Sequence, residues 1–191
     1  MVSTRDAAKL VFEAESMRRI MRMHQQTLGA FDPTDSIAAH FHLTAVIAGL
    51  LAEIAGADIF KTTTMAALHD LEEARTGDHN WVAKRYATVD YGKVDREQLT
   101  PAMKKLIEEF RAKQTFEAQL AKDADYIAQI VLLIIYGRNG CQEAWDWLHP
   151  EDFEGRCQQY LKIQTDAGHQ LAVNIFEQNP HSWWDNLWTS E

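Results

Sequence analysis

Cysteine is scarce in this 191-residue chain: only Cys141 and Cys157 are present, too few for a disulfide framework. Proline is nearly as rare. Its four occurrences, at 33, 101, 150 and 180, fall between periodic segments, so long helices can run without a break. There is no internal repeat and no alternating strand pattern. No apolar run is expected to reach the length of a membrane span. The first nine residues are polar and no signal-peptide core follows them. Positive charge is in deficit, with 19 Lys and Arg against 28 Asp and Glu and a formal net charge of −9. That balance argues against nucleic acid or an anionic membrane as main partner. It is compatible with a small phosphorylated substrate, because a bound cation reverses the sign locally. The expectation is one domain over 1–191, in a cytoplasmic enzyme or binding protein.

What is present reads as helix almost throughout, an all-α fold. A first helix is expected from about Ala7 to Arg22, with Leu10, Ala14, Met17 and Met21 on one side. The segment Thr27 to Ser36 reads as a loop, broken by Gly29, Pro33 and two Asp residues. Asp35 or Ser36 can cap the next helix, which Gly56 ends. Its apolar stripe is Ile37, Phe41, Thr44, Ile47, Ala48, Leu51 and Ile54. His40 lies in that stripe and His42 opposite it. A histidine on a buried face is more often a hydrogen-bonded core residue than a ligand. A third helix is expected to start between Asp58 and Thr62 and run to Gly77. His79 to Asp95 reads as a short helix and loop with a break at Gly92, in which Lys84 and Arg85 could meet a phosphate. Further helices are expected from Pro101 to about Gln114, from Phe116 to Gly137, and as one long element from Asp152 to Gln178. The tail from His181 to Trp188 holds three of the six Trp. Such a tail packs on its own fold or on a second subunit.

The stretch from Met65 to Asp78, MAALHDLEEARTGD, carries the densest chemistry. It contains His69-Asp70, followed by Glu72, Glu73 and Asp78. Imidazole beside carboxylate is a common way to hold a divalent cation, although a lone His-Asp pair is usually a surface pair. On a continuous helix His69 and Glu73 share a face. Gly77 then ends the helix and Asp78 lies on the loop beyond it. Later, Asp123 and Asp125 sit in an otherwise apolar segment, where an ionised carboxylate is costly unless paired or metal-bound. Periodicity does not decide which of the two points inward.

His40, His69-Asp70 and a later Asp form an ordered set H…HD…D. This set resembles the HD-domain phosphohydrolase superfamily. LHDLEEARTGD is similar to the (Y/L)HD-x-x-E-x-x-x-(T)-(G)-D signature of its 5'-deoxynucleotidase branch. FEAQLAKDADYIAQIV is similar to that branch's last ligand helix, in which the Asp of K-x-A-D binds metal. MRRIMRMHQQ resembles the segment KR-x-x-R before the first His. The resemblance covers about residues 7–137 as a helical HD core and leaves 138–191 as a helical extension. Three places depart from the family pattern: Ala39 before His40, Met23-His24-Gln25 where a Trp is frequent, and His79-Asn80-Trp81 after the TGD run. They bear on substrate identity more than on the metal site.

The resemblance implies His40, His69, Asp70 and Asp125 as ligands of one divalent metal ion (Mn, Co, Fe, Zn or Mg). A two-metal version of the fold needs further His ligands between the His69-Asp70 dyad and the last Asp, and only His79 lies there. Glu73 and Asp78 are the candidate catalytic groups, to orient or deprotonate a metal-bound water or to protonate the leaving oxygen. Arg19 and Arg22 are the candidates to grip a phosphate, whose oxygens a guanidinium fork fits. The implied activity is removal of phosphate from (deoxy)ribonucleoside 5'-monophosphates. The alternatives are hydrolysis of a nucleoside triphosphate or another small phosphate ester, or a non-catalytic nucleotide-binding HD protein. The implied partners are a nucleotide and a second copy of the chain, a homodimer, with no nucleic acid and no membrane.

Overall fold

The fold was analysed in a computed structural model, in which residues 2–185 and 187 are described. Helix α1, Thr4–Ser16, is capped by the Ser3 side chain. It does not run on to Arg22 as expected: a 3-10 turn, Met17–Arg19, follows, and the chain then extends. The cause is tertiary. Ile37 N donates to Ile20 O at 2.9 Å and Arg22 N donates to Asp35 O at 3.1 Å, so residues 20–22 pair with the entry to the next long helix. Met21 and Ser36 form an isolated β-bridge. A short helix α2, His24–Leu28, ends at Gly29, whose φ of 62° suits glycine. Its last two residues fall within the stretch read as loop.

Helix α3, Ile37–Ala55, is capped by Ser36, whose hydroxyl accepts from Ala39 N, and Gly56 closes it in the left-handed region. Its buried residues include Ile37, His40, Thr44, Ile47, Ala48 and Leu51. The stripe is shorter than expected, since Ile54 is 59% exposed. His42 is exposed, as its position opposite the stripe requires. Contrary to the expectation from the sequence, α3 is long and apolar enough by composition to cross a membrane. In this fold it packs chiefly against three other α-helices and the 3-10 turn at 17–19.

Helix α4, Ile59–Leu68, starts at the cap Asp58 and stops at His69. Residues 70–72 form a turn, and α5, Glu73–Thr76, is a separate single turn that Gly77 ends. The expected continuous helix through Glu73 is therefore wrong, and other parts of the fold account for the break. Gln98 Nε2 donates to Leu71 O at 2.9 Å, and Arg111 lies 3.2 Å from Glu72. Those partners hold the turn where a helix would bury them differently.

Helices α6, Ala83–Tyr86, and α7, Tyr91–Gln98, follow. Gly92 lies inside the first turn of α7 and does not break it. Thr100 caps α8, Pro101–Ala112, with Pro at the first turn. Helix α9, Phe116–Arg138, is the longest. It packs against α3, α4, α8 and two later helices. Those are α10, Gln142–Leu148, and α12, Asp166–Glu177. Between them lie α11, Phe153–Arg156, and a 3-10 turn, Tyr160–Lys162. The long C-terminal helix expected from Asp152 is thus broken. Asp123 on α9 captures the break: its carboxylate accepts from Gln164 N, Thr165 N and Thr165 Oγ1 at 2.9, 2.9 and 2.6 Å. Thr165 in turn caps α12.

The core lies where α3, α4 and α9 meet, around Leu51, Met65, Leu120, Ile127 and Ile130. In the tail Trp184 stacks on His181 at 5.0 Å, and Trp183 is exposed. Trp188 lies outside the described residues.

Candidate metal centre

The three core helices each bring one polar group to a common point. His40 comes from the buried face of α3, His69 from the end of α4, and Asp125 from α9. One ligand atom from each lies within 4.8 Å of the others. His40 Nε2 is 3.1 Å and His69 Nε2 3.8 Å from Asp125 Oδ1, and His69 Nε2 is 3.0 Å from Asp70 Oδ2. Of the two carboxylates that periodicity left undecided, Asp125 faces the histidines and Asp123 faces the 164–165 backbone.

The arrangement suits a divalent cation. His69 Nδ1 is 2.7 Å from Ala66 O, which fixes the proton on Nδ1 and leaves the Nε2 lone pair directed at the carboxylates. Nε2 is buried and has no well-aligned hydrogen-bond partner, which is what a ligand nitrogen needs. Two imidazoles and two carboxylates suit a metal of the Mn, Fe, Co or Zn type. The cluster is strongly polarised. Burial works against the Asp125 carboxylate, but Lys122, at 2.7 Å, and the histidines hold its pKa well below the usual range. Burial likewise opposes Asp70, whose pKa the His69 ring keeps low. Burial and the nearby Arg22 charge push His40 down to about 4.

The cluster opens on a cavity of about 360 Å³. Glu73 lines it although the expected shared helix face with His69 does not exist. The turn brings it there instead, with Glu73 N donating to Asp70 O at 2.9 Å. Glu73 Oε2 is buried without a partner. Burial, and then the charges of Asp70 and Asp78, raise its pKa to about 9. Arg75, its nearest basic residue in sequence, points instead to Glu13. Asp78 also lines the cavity, and its Oδ2 accepts from Met23 N at 2.6 Å and lies 3.8 Å from Arg22 Nε. Arg22 is buried in the wall. Arg19 is not brought to the site: it is exposed and paired with Glu15 at 2.7 Å, because the turn at 17–19 directs it away.

Several cavity residues carry no sequence signal of their own. Lys122, Tyr126 and Gln129 follow from the register of α9 once Asp125 is inward. Trp147, Gln159 and Lys162 come from the segment that the resemblance leaves outside the core. His24, Asn80, Trp81 and Lys84 complete the wall, three of them at positions that depart from the family pattern. Arg85, paired with Lys84 in the sequence reading, is exposed and absent from the lining.

A helical bundle that converges two histidines and two carboxylates under one cavity defines a metal-binding class of all-α protein. The model of the HD domain matches residues 14–165, and the chain belongs to that family. It is similar to a conserved hypothetical protein from Pyrococcus furiosus, at 26% identity and a TM-score of 0.69 over 88% of this chain and 98% of that one. A protein from Pyrococcus horikoshii aligns at 24% identity and a TM-score of 0.68, over 88% and 98% of the two chains. A predicted metal-dependent phosphohydrolase from Magnetospirillum magnetotacticum shares the fold at 18% identity and a TM-score of 0.53, over 90% and 92%. A search of curated proteins returns no match.

Proposed function

We propose that this HD protein is a metal-dependent phosphohydrolase that removes phosphate from nucleoside 5'-monophosphates. The observation that carries the reading is His69 Nε2, buried without an aligned hydrogen-bond partner beside a second imidazole and behind Asp70 and Asp125, two carboxylates that line a cavity with basic and aromatic residues in its wall. Arg22, Lys84, Lys122 and Lys162 supply positive charge in a chain of net charge −9, and Trp81, Tyr126 and Trp147 supply ring faces for a base.

His40, His69, Asp70 and Asp125 would hold one divalent cation, which when bound lowers the pKa of water and takes up phosphoryl charge. Arg22 offers its guanidinium to the phosphate, with Asp78 holding both that side chain and Met23 N in place. Glu73 Oε2, free of other partners, would take the proton of the attacking water once the charge of a bound cation draws its carboxyl back to the ionised form. Lys84 and Lys162 form no ion pair among the described residues, which favours, as a second reading, a substrate with additional phosphates. The shared fold of the Magnetospirillum protein is consistent with the phosphohydrolase reading.

The test is phosphate release from a panel of nucleoside mono- and triphosphates with Mn²⁺, Co²⁺ or chelator. Metal-dependent release from the monophosphates is expected. Glu73→Ala should keep the metal and lose about a hundredfold to ten-thousandfold in rate. No release from any ester with any metal, from folded and metal-loaded protein, overturns the reading in favour of a non-catalytic binding protein.

A further inference from the structure

The cavity wall holds a second polar assembly that the proposed reaction does not use. His24, the first residue of α2, lines the cavity. Its Nε2 lies 2.8 Å from Asp35 Oδ2, and both side chains are largely buried. The approach is too oblique for a straight hydrogen bond, so the carboxylate acts on the ring by charge and position. Asp35 is itself fixed: it accepts from Tyr136 Oη at 3.1 Å and from Gln25 Nε2 at 3.4 Å. Tyr136 also meets the imidazole edge-on, with ring centroids 6.0 Å apart. A cavity-wall histidine is thus held by a buried carboxylate and two side chains behind it. That is more than packing alone asks of an imidazole.

Its place along the cavity narrows its role. Tyr136 stands eleven residues after Asp125 on α9, about 16 Å along the helix axis. Leu132 and Leu133, between them, line the same cavity. His24 meets Tyr136 at that end of α9 and follows Arg22 by two residues in the cavity wall, a place that the organic part of an ester whose phosphate meets Arg22 can reach. Asp35 beside Nε2 stabilises the tautomer with its proton there, which leaves Nδ1 as an acceptor. No protein group among the described residues donates to Nδ1.

We propose that His24 is a specificity-determining residue that accepts, through Nδ1, a hydrogen bond from an amino or hydroxyl group of the nucleoside. Asp35 and Tyr136 are the positioning residues that fix the ring for it. The inference rests on the nucleotide reading above and extends it to which nucleosides are taken.

Two readouts test it. In kinetics, His24→Phe should raise KM about tenfold on the preferred nucleotide, the worth of one hydrogen bond with its donor left unpaired, and leave kcat within a few-fold. His24→Asn, whose amide oxygen can stand near Nδ1, should recover most of the loss. Asp35→Asn should reproduce the loss with His24 intact, because an amide donor beside Nε2 favours the opposite tautomer. In ¹⁵N-histidine NMR, the His24 Nδ1 resonance, identified by its loss in His24→Asn, should move when a purine or a pyrimidine deoxynucleoside 5'-monophosphate is added with Mg²⁺. Nδ1 moving with no ester hydrolysed would support this inference and overturn the proposed reaction. Hydrolysis with unchanged KM in His24→Phe, or with Nδ1 unmoved, would overturn the inference alone. No response in either readout would overturn both.

Discussion

Asp123 and Asp125 lie two residues apart on one helix, and removing each should do opposite things. Asp123 is fully buried and accepts three hydrogen bonds, from Gln164 N, Thr165 N and Thr165 Oγ1. Asp123→Ala strands those donors. At ~1–3 kcal/mol per buried unsatisfied group, with partial relaxation to water, the loss is about 3–6 kcal/mol. For a chain of this length that is a fall in Tm of roughly 10 °C or more. Gly168 packs directly on this carboxylate, since a Cβ there would meet Asp123 Oδ2 at 2.7 Å. Asp125→Ala removes the carboxylate that faces both histidines, so most bound metal should be lost. The assay is metal content per mole of folded protein, with thermal unfolding of the same preparations in chelator. Asp123→Ala should be unstable yet keep its metal, and Asp125→Ala should lack metal. Equal metal content in the two variants would refute the assignment of Asp125, and an unchanged Tm in Asp123→Ala would refute the structural role of Asp123.

Glu73 gives a pH signature in metal-free protein. Its folded pKa, raised to about 9 by burial and by Asp70 and Asp78, exceeds the ordinary carboxyl value, so folding favours the protonated form. Its contribution to stability is complete below the unfolded pKa, near 4.5, and is lost as pH rises towards 9. Urea midpoints of chelated wild type should fall relative to Glu73→Gln across that window, and parallel curves would count against the buried carboxyl. Arg22→Ala should raise KM for a nucleotide about tenfold or more, whereas Arg19→Ala, lost from an exposed pair, should leave it unchanged. If Arg19→Ala shows the larger effect, the turn at 17–19 is misplaced. Sedimentation at micromolar concentration should show a dimer, the state that the Trp-rich tail and the family resemblance lead one to expect and that would cover apolar side chains exposed at Phe12, Phe60 and Trp183. A clean monomer would exclude it.

The parts of the structure visible in the sequence are those set by local chemistry. Ser36 and Gly56 delimit α3 because a cap and a left-handed glycine act on their own backbone. Thr100-Pro101 opens α8 for the same reason. The break after His69 was not visible, because EEAR is a good helical sequence and the groups that hold the turn, Gln98 and Arg111, are remote in the chain. The C-terminal break was hidden likewise. Its cause, Asp123, lies about forty residues earlier, and nothing in its neighbourhood distinguishes a carboxylate that caps a distant loop from one that faces an imidazole. Resemblance separated Asp125 from Asp123 where periodicity did not. Arg19 was misjudged because the extension of residues 20–22 depends on pairing with the 35–37 segment. Gln159 and Lys162 are ordinary residue types that gain meaning only from the wall they stand in.

That wall is built differently from the floor. His40, His69 and Asp125 are rooted in helices whose other faces form the hydrophobic core, so their positions cannot drift without disturbing the whole bundle. The stretch from Cys157 to Thr165 is moored to α9 at its far end by the Asp123 carboxylate. A lineage, or an engineer, could therefore exchange this stretch as a cassette, keeping the mooring threonine and rewriting the residues that line the cavity. Reaction chemistry would be inherited and substrate range would remain free to vary.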